Sequence, residues 1–341
     1  MQKNPSRKRL LTGDTPTGKL HLGHLVGSLE NRLGLQGQYD CYILIADTHA
    51  LTTRATQVDA IRKDVLDITL DYLAVGIDPK KSVIFVESAV PAIFELASLF
   101  SMLIPFPRLM RNPTIKDEIR DKGLGDNYSF GFLLYPILQV ADILAFQAEV
   151  VPVGRDQIPH IEMAREAARR FNQLYREDFF PLPKPLIGRG ERLVGIGGPG
   201  KTGQLLKMSK SLNNAIFLSD SPDEIHKKVM GMYTDPKRLR ASDPGTVENN
   251  PLWVFHDTFN ADKKWIEEAK DKYRAGKIGD VECKKRLSEV LVAYLKPIAE
   301  RRKQYAKDLN FVKDVLKQGN DKANIVASRL LEKVRDYMLF V

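Results

Sequence analysis

The segment TGDTPTGKLHLGH, residues 12–24, indicates the fold class. It follows a short apolar run at residues 9–12, which predicts a first β-strand, and leads into residues 21–35, whose apolar spacing predicts a helix. Backbone N–H groups at the start of such a helix favour a bound phosphate. His21 and His24 are three residues apart and share a face of the first helical turn, and Gly23 leaves room for a nucleotide. The stretch therefore predicts a nucleotide site where a strand ends, although two exposed histidines or a metal site are alternatives.

The rest of the first half alternates between strand and helix patterns. Strands are predicted at residues 41–46, 82–86 and 149–153, and helices at residues 59–75, 91–103 and 156–171. This alternation predicts an α/β fold with a doubly wound parallel sheet, whose ligands lie at the carboxyl ends of the strands. From residue 221 onward, helical spacing is nearly continuous and predicts a second, all-helical region. Its helices are expected at residues 222–232, 251–260, 263–274, 281–303 and 325–337.

The composition indicates a soluble protein with a basic second half. The chain has 341 residues and a net charge of +9, of which residues 1–150 carry −1 and residues 151–341 carry +10. Such an asymmetry fits a small-molecule site joined to a nucleic-acid surface, but also fits solvated helix faces. Two distant cysteines exclude a disulfide framework and a cysteine-rich zinc site. Without a predicted membrane span or signal peptide, we expect a cytoplasmic protein and no membrane partner.

A second motif, KMSKS at residues 207–211, places two lysines on one short loop. Two such charges suit a departing pyrophosphate, whereas the pentapeptide alone is equally a solvated loop. A competing motif, residues 195–202 (GIGGPGKT), matches the P-loop pattern. A P-loop runs into a helix, but here Gly203 follows and the KMSKS lysines come shortly after Lys201. A glycine-rich hinge before a lysine loop is therefore favoured.

Two further segments place polar groups beside predicted apolar elements. A helix predicted to begin at Tyr135 and Pro136 carries Tyr135, Gln139 and Asp142 on one face, at spacings of four and seven. This face is either exposed or the wall of a ligand pocket, because burying Asp142 without a donor costs several kcal/mol. Residues 151–157 (VPVGRDQ) begin in the predicted strand at residues 149–153 and continue past its end. Their polar residues suit a ribose and an amino group, although Asp156 is alternatively only an N-cap.

These motifs resemble those of class I aminoacyl-tRNA synthetases. HLGH at residues 21–24 is similar to the family's HIGH signature, and residues 207–211 match its KMSKS signature. YPILQVADIL (135–144), VPVGRDQIPHIE (151–162), DTHALT (47–52) and RRFN (169–172) resemble tryptophanyl-tRNA synthetases, and the resemblance covers nearly the whole chain. Tyrosyl-tRNA synthetases share the fold, but usually carry a tyrosine near the end of the first strand, where this chain has LLT (10–12).

The resemblance implies a Rossmann-like catalytic domain of the HUP type at residues 1–217. It also implies a helical anticodon-binding domain at residues 218–341, whose last helix returns to the catalytic domain. The implied reaction activates L-tryptophan with ATP and transfers it to the 3′ end of tRNA(Trp). Mg²⁺ is expected to be carried by ATP rather than by a protein metal site, and a homodimer is expected. Phosphates of tRNA are expected to contact the basic cluster Lys237, Arg238 and Arg240 of the helical region.

Residue roles follow from the same resemblance. His21, His24, Lys116, Lys207 and Lys210 are the expected catalytic residues. ATP is expected to contact Thr15, Pro16, Thr17, Gly23, His24, Gly154, Arg155, Asp156, Leu193 (near the adenine), Lys207, Met208, Ser209, Lys210 and Ser211. Tryptophan is expected to contact Leu11, Gly13, His49, Tyr135, Gln139, Asp142, Val151, Val153 and Gln157. Within this set Asp142 accepts the indole N–H, and Tyr135, Gln139 and Gln157 hold the α-amino group.

Three features depart from the commoner bacterial pattern. That pattern often has asparagine in place of His24, methionine in place of Gln139 and a shorter segment before KMSKS. The departures are similar to a divergent second bacterial branch and leave open a housekeeping or an accessory role. Three rivals remain: an RNA-binding paralogue without aminoacylation, an HxGH nucleotidylyltransferase, and a P-loop NTPase that depends on Lys201. The first would usually have lost a signature, and the second lacks a long helical domain.

Overall fold

The computed structural model describes residues 7–121, 123–125, 127–187, 193–240 and 242–339. Five parallel strands form one sheet in the order β3-β2-β1-β4-β5. They are β1 Arg9–Asp14, β2 Asp40–Ile45, β3 Ser82–Val86, β4 Val150–Val153 and β5 Lys184–Ile187. Two further strands, β6 Val194–Pro199 and β7 Leu205–Lys207, form an antiparallel hairpin. The predicted parallel sheet is confirmed, while β5 and the hairpin were not predicted.

Helices flank the sheet and make up most of the second half. They are α1 Leu22–His24, α2 Glu30–Leu35, α3 Asp47–Arg54, α4 Val58–Val75, α5 Pro91–Ser101, α6 Phe106–Met110, α7 Pro113–Asp121, α8 Phe130–Ala145, α9 Ile158–Leu174, α10 Pro222–Met230, α11 Pro251–Phe259, α12 Lys263–Arg274, α13 Asp280–Lys307 and α14 Leu309–Met338. A π-helical segment, Leu25–Leu29, joins α1 to α2. None of the helices among the described residues combines the length and apolarity that a membrane crossing requires.

Helix α8 begins earlier than predicted. The sequence predicts its start at Tyr135 and Pro136, but the helix starts at Phe130, where the hydroxyl of the N-cap Ser129 accepts from the N–H of Phe132. Pro136 consequently lies inside the helix, where it removes one backbone hydrogen bond. The apolar face of α8 offsets this loss by burial, because Phe132 and Val140 are fully buried.

Contacts between residues divide the chain into two compact units. Unit 1 comprises the described residues of Met1–Gly18, Asn31–Arg189 and Asp308–Val341, and unit 2 comprises those of Lys19–Glu30 and Gly190–Lys307. Unit 1 therefore holds the five-stranded sheet and α14, while unit 2 holds the hairpin and α10 to α13. This division does not coincide with the predicted boundary after residue 217. The catalytic and anticodon-binding roles of the two predicted domains stay a prediction.

The last helix covers an edge of the sheet in unit 1. Helix α14 is much longer than the predicted residues 325–337, and it packs against β3. A Cβ atom on Gly319 would lie 1.8 Å from the carbonyl oxygen of Ile84, so only glycine permits this approach. The next residue, Asn320, accepts a hydrogen bond from the N–H of Val86 at 2.9 Å. The helix thus satisfies an edge-strand donor that would otherwise be unpaired.

Candidate active site

Within unit 2, the HLGH segment lies against the KMSKS loop. The N–H of Gly23 donates to the sulfur of Met208 at 3.4 Å, and the N–H of Leu22 donates to the carbonyl of Ile216 at 3.0 Å. A Cβ atom on Gly23 would lie 3.0 Å from the ring of His21 and 3.3 Å from the Cβ of Met208. The two motifs are about 185 residues apart in sequence, yet they pack together at the start of α1. A side chain at position 23 would therefore press tightly against His21 and Met208.

The two histidines of this segment lie in contact, and the ring of His21 is neutral. The N–H of His21 donates to Nδ1 of His24 at 3.2 Å, and the ring centroids are 3.8 Å apart. An Nδ1 atom that accepts a hydrogen bond leaves the proton of a neutral His24 ring on Nε2. Burial, followed by His24 and Lys210, lowers the pKa of His21 to about 3, so its ring is neutral at physiological pH. Each ring can then donate one N–H to a phosphate oxygen.

Asn214 fixes the backbone of the lysine loop and was not assigned a role from the sequence. Its side-chain oxygen accepts from the N–H of Ser209 at 2.7 Å, and its amide nitrogen donates to the carbonyl of Lys207 at 3.1 Å. The side chain is buried, and a Cβ atom on Gly195 would lie 2.1 Å from its amide nitrogen. Lys207 is exposed and Lys210 is half-buried. The buried side chain of Asn214 therefore fixes the backbone that carries these two lysines. The only sequence signal was an asparagine pair at residues 213–214, one residue after KMSKS.

The P-loop alternative is rejected by the structure. The segment 195–202 lies in β6 and the turn that follows it, and β7 comes next rather than a helix. The N–H of Gly200 donates to the carbonyl of Gln204 at 2.8 Å, and that of Gly203 donates to the carbonyl of Gly200 at 2.9 Å. These N–H groups close a hairpin and do not cradle a phosphate. Lys201 is exposed in the turn.

Within unit 1, α8 buries the polar face that the sequence predicted. Tyr135 is 3% exposed and Asp142 is 4% exposed, while Gln139 is half-buried. The alternative of a solvent-exposed face is therefore rejected for Tyr135 and Asp142. Among the described residues, Oδ1 of Asp142 has no hydrogen-bond partner. Burial, followed by the charge of Glu87, raises the pKa of Asp142 well above its ordinary value. A buried acceptor without a protein partner is suited to a donor from a ligand or an ordered water.

Tyr135 lies at the centre of a cluster of aromatic rings. The ring of His49 packs edge-on against it at a centroid distance of 4.7 Å, and the ring of His160 lies at 5.5 Å. Its hydroxyl donates to Glu118 at 3.5 Å, and burial followed by this carboxylate raises the pKa of Tyr135. Burial lowers the pKa of His160 to about 4, and the amide of Asn112 lies 3.2 Å from its Nδ1. His160 and Glu118 were not assigned from the sequence.

The predicted apolar pocket residues belong to the same core as Tyr135. Leu11 and Val151 are buried in that cluster, and Val153 packs against it half-buried. Gly13 follows on β1, and a Cβ atom there would lie 2.4 Å from the carbonyl oxygen of Leu44. Leu11 of β1 and Val151 of β4 therefore share one core with α8.

Glu87 is a second buried carboxylate of this region and was missed by the sequence reasoning. It follows β3 directly, is 1% exposed, and accepts hydrogen bonds from the hydroxyl of Thr48 and, at 3.2 Å, from the N–H of His49. Burial raises its pKa to about 7, although the hydrogen bond from Thr48 lowers it. No sequence pattern distinguished this glutamate from an ordinary residue after a strand.

The loop after β1 is held by a buried ion pair. Nη1 of Arg32 lies 2.6 Å from Oδ2 of Asp14, and the hydroxyl of Tyr72 donates to the same oxygen at 2.5 Å. Nη2 of Arg32 donates to the carbonyl of Gly13 at 3.2 Å. This ion pair fixes the end of β1. The predicted ATP-binding residues Thr15 to Thr17 follow directly in the sequence.

The segment after β4 begins with Gly154 in close approach to Asp156. A Cβ atom on Gly154 would lie 2.7 Å from Oδ1 of Asp156, and the amide of Gln157 donates to Oδ2 of Asp156 at 3.1 Å. Helix α9 has Gln157 as its N-cap residue, so the alternative of Asp156 as the N-cap is rejected. Lys116, expected near the phosphates, is exposed on α7.

One expected tRNA contact is wrong. The side chain of Arg238 is 1% exposed, lies 3.2 Å from a carboxylate oxygen of Asp280 and stacks 4.1 Å over the ring of Tyr273. Arg238 is therefore a structural residue of unit 2 and is not available to a phosphate. Lys237 and Arg240 on either side are exposed.

Known proteins resemble this chain in sequence and in structure. A family model described as "tRNA synthetases class I (W and Y)" matches residues 3–296. The tryptophan–tRNA ligase of Borreliella burgdorferi is 47% identical over 333 residues, 97% of this chain and 93% of that protein. The tryptophan–tRNA ligase of Clostridium longisporum is 48% identical over 335 residues, 97% of this chain and 96% of that protein.

A solved structure matches over a similar share of the chain. It is the tryptophanyl-tRNA synthetase from Campylobacter jejuni complexed with ADP and tryptophan, which is 31% identical. The match has a TM-score of 0.84 and covers 96% of this chain and 98% of that one. Since sequence and structure match over nearly the whole length, the chain belongs to the class I tRNA synthetases, in the family of the tryptophan and tyrosine enzymes.

Proposed function

We propose that this chain is a tryptophan–tRNA ligase that forms tryptophanyl-adenylate from L-tryptophan and ATP and transfers tryptophan to the 3′ end of tRNA(Trp). The observation that carries the proposal is the buried, unpaired Oδ1 of Asp142 on α8. An indole presents one N–H donor and no acceptor, so a buried carboxyl oxygen is its matching partner. The family match and the tryptophan–tRNA ligases named among its relatives support the same substrate.

In the activation step, the tryptophan carboxylate attacks the α-phosphorus of ATP and pyrophosphate leaves. His21, whose ring is neutral, and His24, whose Nδ1 accepts from the backbone N–H of His21, donate ring N–H groups to phosphate oxygens as charge develops. Lys207 and Lys210 neutralise the departing pyrophosphate. No side chain forms a covalent bond, so orientation and fixed charge supply the catalysis.

Mg²⁺ belongs to this proposal as an ion carried by the ATP phosphates. Among the described residues, no group of three or more His, Cys, Asp or Glu side chains is arranged to hold a metal ion. In this proposal the phosphates would supply its ligands, and the ion would spread their negative charge when bound. The protein's own contribution to that neutralisation is the lysine loop.

The amino acid is oriented by the residues around α8. Tyr135, Gln139 and Gln157 are placed at the α-amino group, and Asp142 at the indole nitrogen. His49, Leu11, Val151 and Val153 pack around the ring. ATP contacts the other residues of the predicted set as well, among them Leu193, Gly154, Arg155 and Lys116.

The partners of the proposed enzyme are tRNA(Trp) and a second copy of the chain, in a cytoplasmic setting. Lys237 and Arg240 are exposed cations suited to tRNA phosphates. Met102, Phe106 and Phe130 of unit 1 are 75%, 62% and 76% exposed, and such large apolar side chains favour an interface between copies.

Charging of tRNA tests the proposal. The chain is incubated with ATP, labelled tryptophan and total tRNA, and we expect tryptophan in an alkali-labile ester at the 3′ end. An RNA-binding paralogue would bind tRNA without esterifying it. A nucleotidylyltransferase would release pyrophosphate with another small substrate and leave tRNA uncharged.

A further inference from the structure

Glu87, at the end of β3, caps helix α3, which follows the neighbouring strand β2. Helix α3 follows β2, and its N-cap residue is Ala46, which has no side-chain acceptor. The carboxylate of Glu87 supplies the missing acceptor, because it receives the N–H of His49, the third residue of α3, at 3.2 Å. The hydroxyl of Thr48 donates to the same oxygen. The first turn of α3 is therefore oriented by a residue at the end of β3.

That turn forms part of the proposed tryptophan pocket. The ring of His49 packs edge-on against Tyr135 at 4.7 Å, and Tyr135 shares a face of α8 with Asp142. The charge of Glu87 also reaches Asp142 directly and opposes its ionisation. Glu87 thus acts on the pocket in two ways: through the position of His49 and through the charge of Asp142.

We propose that Glu87 is a positioning residue for the amino acid that this chain activates, holding His49 against the pocket and sharing one proton with Asp142. The inference rests on the proposed function, since it takes Asp142 as the acceptor of the indole N–H. Glu87 accepts two hydrogen bonds that favour its ionised form, whereas Oδ1 of Asp142 accepts none. In the free pocket the proton therefore resides on Asp142. When the indole N–H donates to Asp142, this proton passes to the carboxylate of Glu87.

The pH dependence of tryptophan binding follows from this exchange. The charges of Asp47 and Asp142 interact with that of Glu87, and His49 donates its N–H to Glu87. Asp47 itself accepts from the N–H and the hydroxyl of Ser88 at 2.9 and 2.5 Å. Burial raises the pKa of Glu87 to about 7. Above that pH, tryptophan binding only moves a proton from Asp142 to Glu87. The affinity for tryptophan therefore does not change with pH in this range. Below it both carboxyls are protonated, binding releases one proton, and the affinity falls by up to about tenfold per pH unit.

Glu87→Gln separates the two roles. A glutamine still accepts from Thr48 and His49 but cannot take the proton of Asp142. Binding must then release that proton to solvent at every pH, so we expect the affinity to keep rising above about pH 7, where the wild-type affinity is level. Glu87→Ala removes the acceptor as well, and we expect the KM for tryptophan to rise by about tenfold or more, with the KM for ATP changed by less than about twofold. The matched control is Glu177→Gln, at an exposed carboxylate outside the site.

The measurement is the Kd for tryptophan by equilibrium dialysis from about pH 6 to about pH 8.5, without ATP, so that nucleotide phosphates do not contribute. Profiles of wild type and Glu87→Gln that coincide would overturn the proton sharing. An unchanged KM for tryptophan in Glu87→Ala would overturn the positioning; if that variant does not fold, Thr48→Val, which weakens the same cap, takes its place. If the wild type binds no tryptophan, the proposed function has failed, and the amino acid that does support exchange is used in the same dialysis to test Glu87.

Discussion

Replacing Asp142 by asparagine should weaken tryptophan recognition and stabilise the fold at the same time. Asparagine keeps the shape and one oxygen but loses the charge that strengthens a hydrogen bond to the indole N–H. A hydrogen bond to a charged group is worth about 1.5–3 kcal/mol, so kcat/KM for tryptophan should fall roughly tenfold to 150-fold. ATP binding should be nearly unchanged, because Asp142 is placed at the indole ring.

The stability change has the opposite sign. Burial raises the folded-state pKa of Asp142 above its ordinary value of 3.8, so the folded chain keeps a proton that the unfolded chain releases. Stability from this group is therefore lost as pH rises above the unfolded value. Asparagine does not titrate, and we expect Asp142→Asn to have the higher Tm at pH 8, with the difference shrinking as the pH falls.

Pyrophosphate exchange and thermal unfolding, measured side by side, check both parts. An analogue whose indole N–H is replaced by sulfur provides the specificity readout. Wild type should reject this analogue strongly, and the variant should reject it less. A variant that still prefers tryptophan by the wild-type margin would refute the reasoning, since Asp142 would then not read the indole nitrogen.

Three further predictions test the lysine loop, its buried support and the proposed tRNA surface. Lys210→Ala should lower the rate of pyrophosphate exchange by ~10²–10³-fold, whereas Lys201→Ala in the hairpin turn should change it little; a larger loss for Lys201→Ala would revive the P-loop. Asn214→Ala frees the backbone of the lysine loop, and in the same assay it should lower kcat by about tenfold while leaving the KM for tryptophan unchanged; equal effects on both would contradict a role confined to the loop. Lys237→Ala and Arg240→Ala should each weaken tRNA binding and lower its salt dependence, measured by filter binding, while tryptophan affinity stays constant; an unchanged salt slope would remove these residues from the tRNA surface.

Much of the fold follows from local patterns, because the strands of a parallel sheet are apolar runs between helices. The predicted strand at residues 82–86 coincides with β3, and the predicted helix at residues 263–274 coincides with α12. Helix boundaries were less predictable where tertiary packing overrides a local signal. Pro136 reads as a helix start, but Ser129 caps α8 two turns earlier. The packing of Gly319 on β3 keeps α14 helical through a residue that usually weakens a helix.

The residues of the candidate site also fall into two groups: those that local sequence patterns predict, and those whose roles depend on the folded chain. The spacing of Tyr135 and Asp142 predicts a shared face because helical geometry alone determines it, and the structure buries both residues. Glu87 and Asn214 could not be predicted, because their roles depend on which backbone groups the fold brings to them. Arg238 was misassigned because a count of charges does not distinguish an exposed cation from one stacked on a buried ring.

Amino-acid-dependent ATP–pyrophosphate exchange across all twenty amino acids tests the central claim most directly. The buried, unpaired acceptor on α8 and the two packed signature motifs predict rapid exchange with tryptophan, and only weak exchange with tyrosine and phenylalanine. Exchange with tyrosine at equal or greater kcat/KM would contradict the assignment of Asp142 to an indole donor while leaving the synthetase family intact.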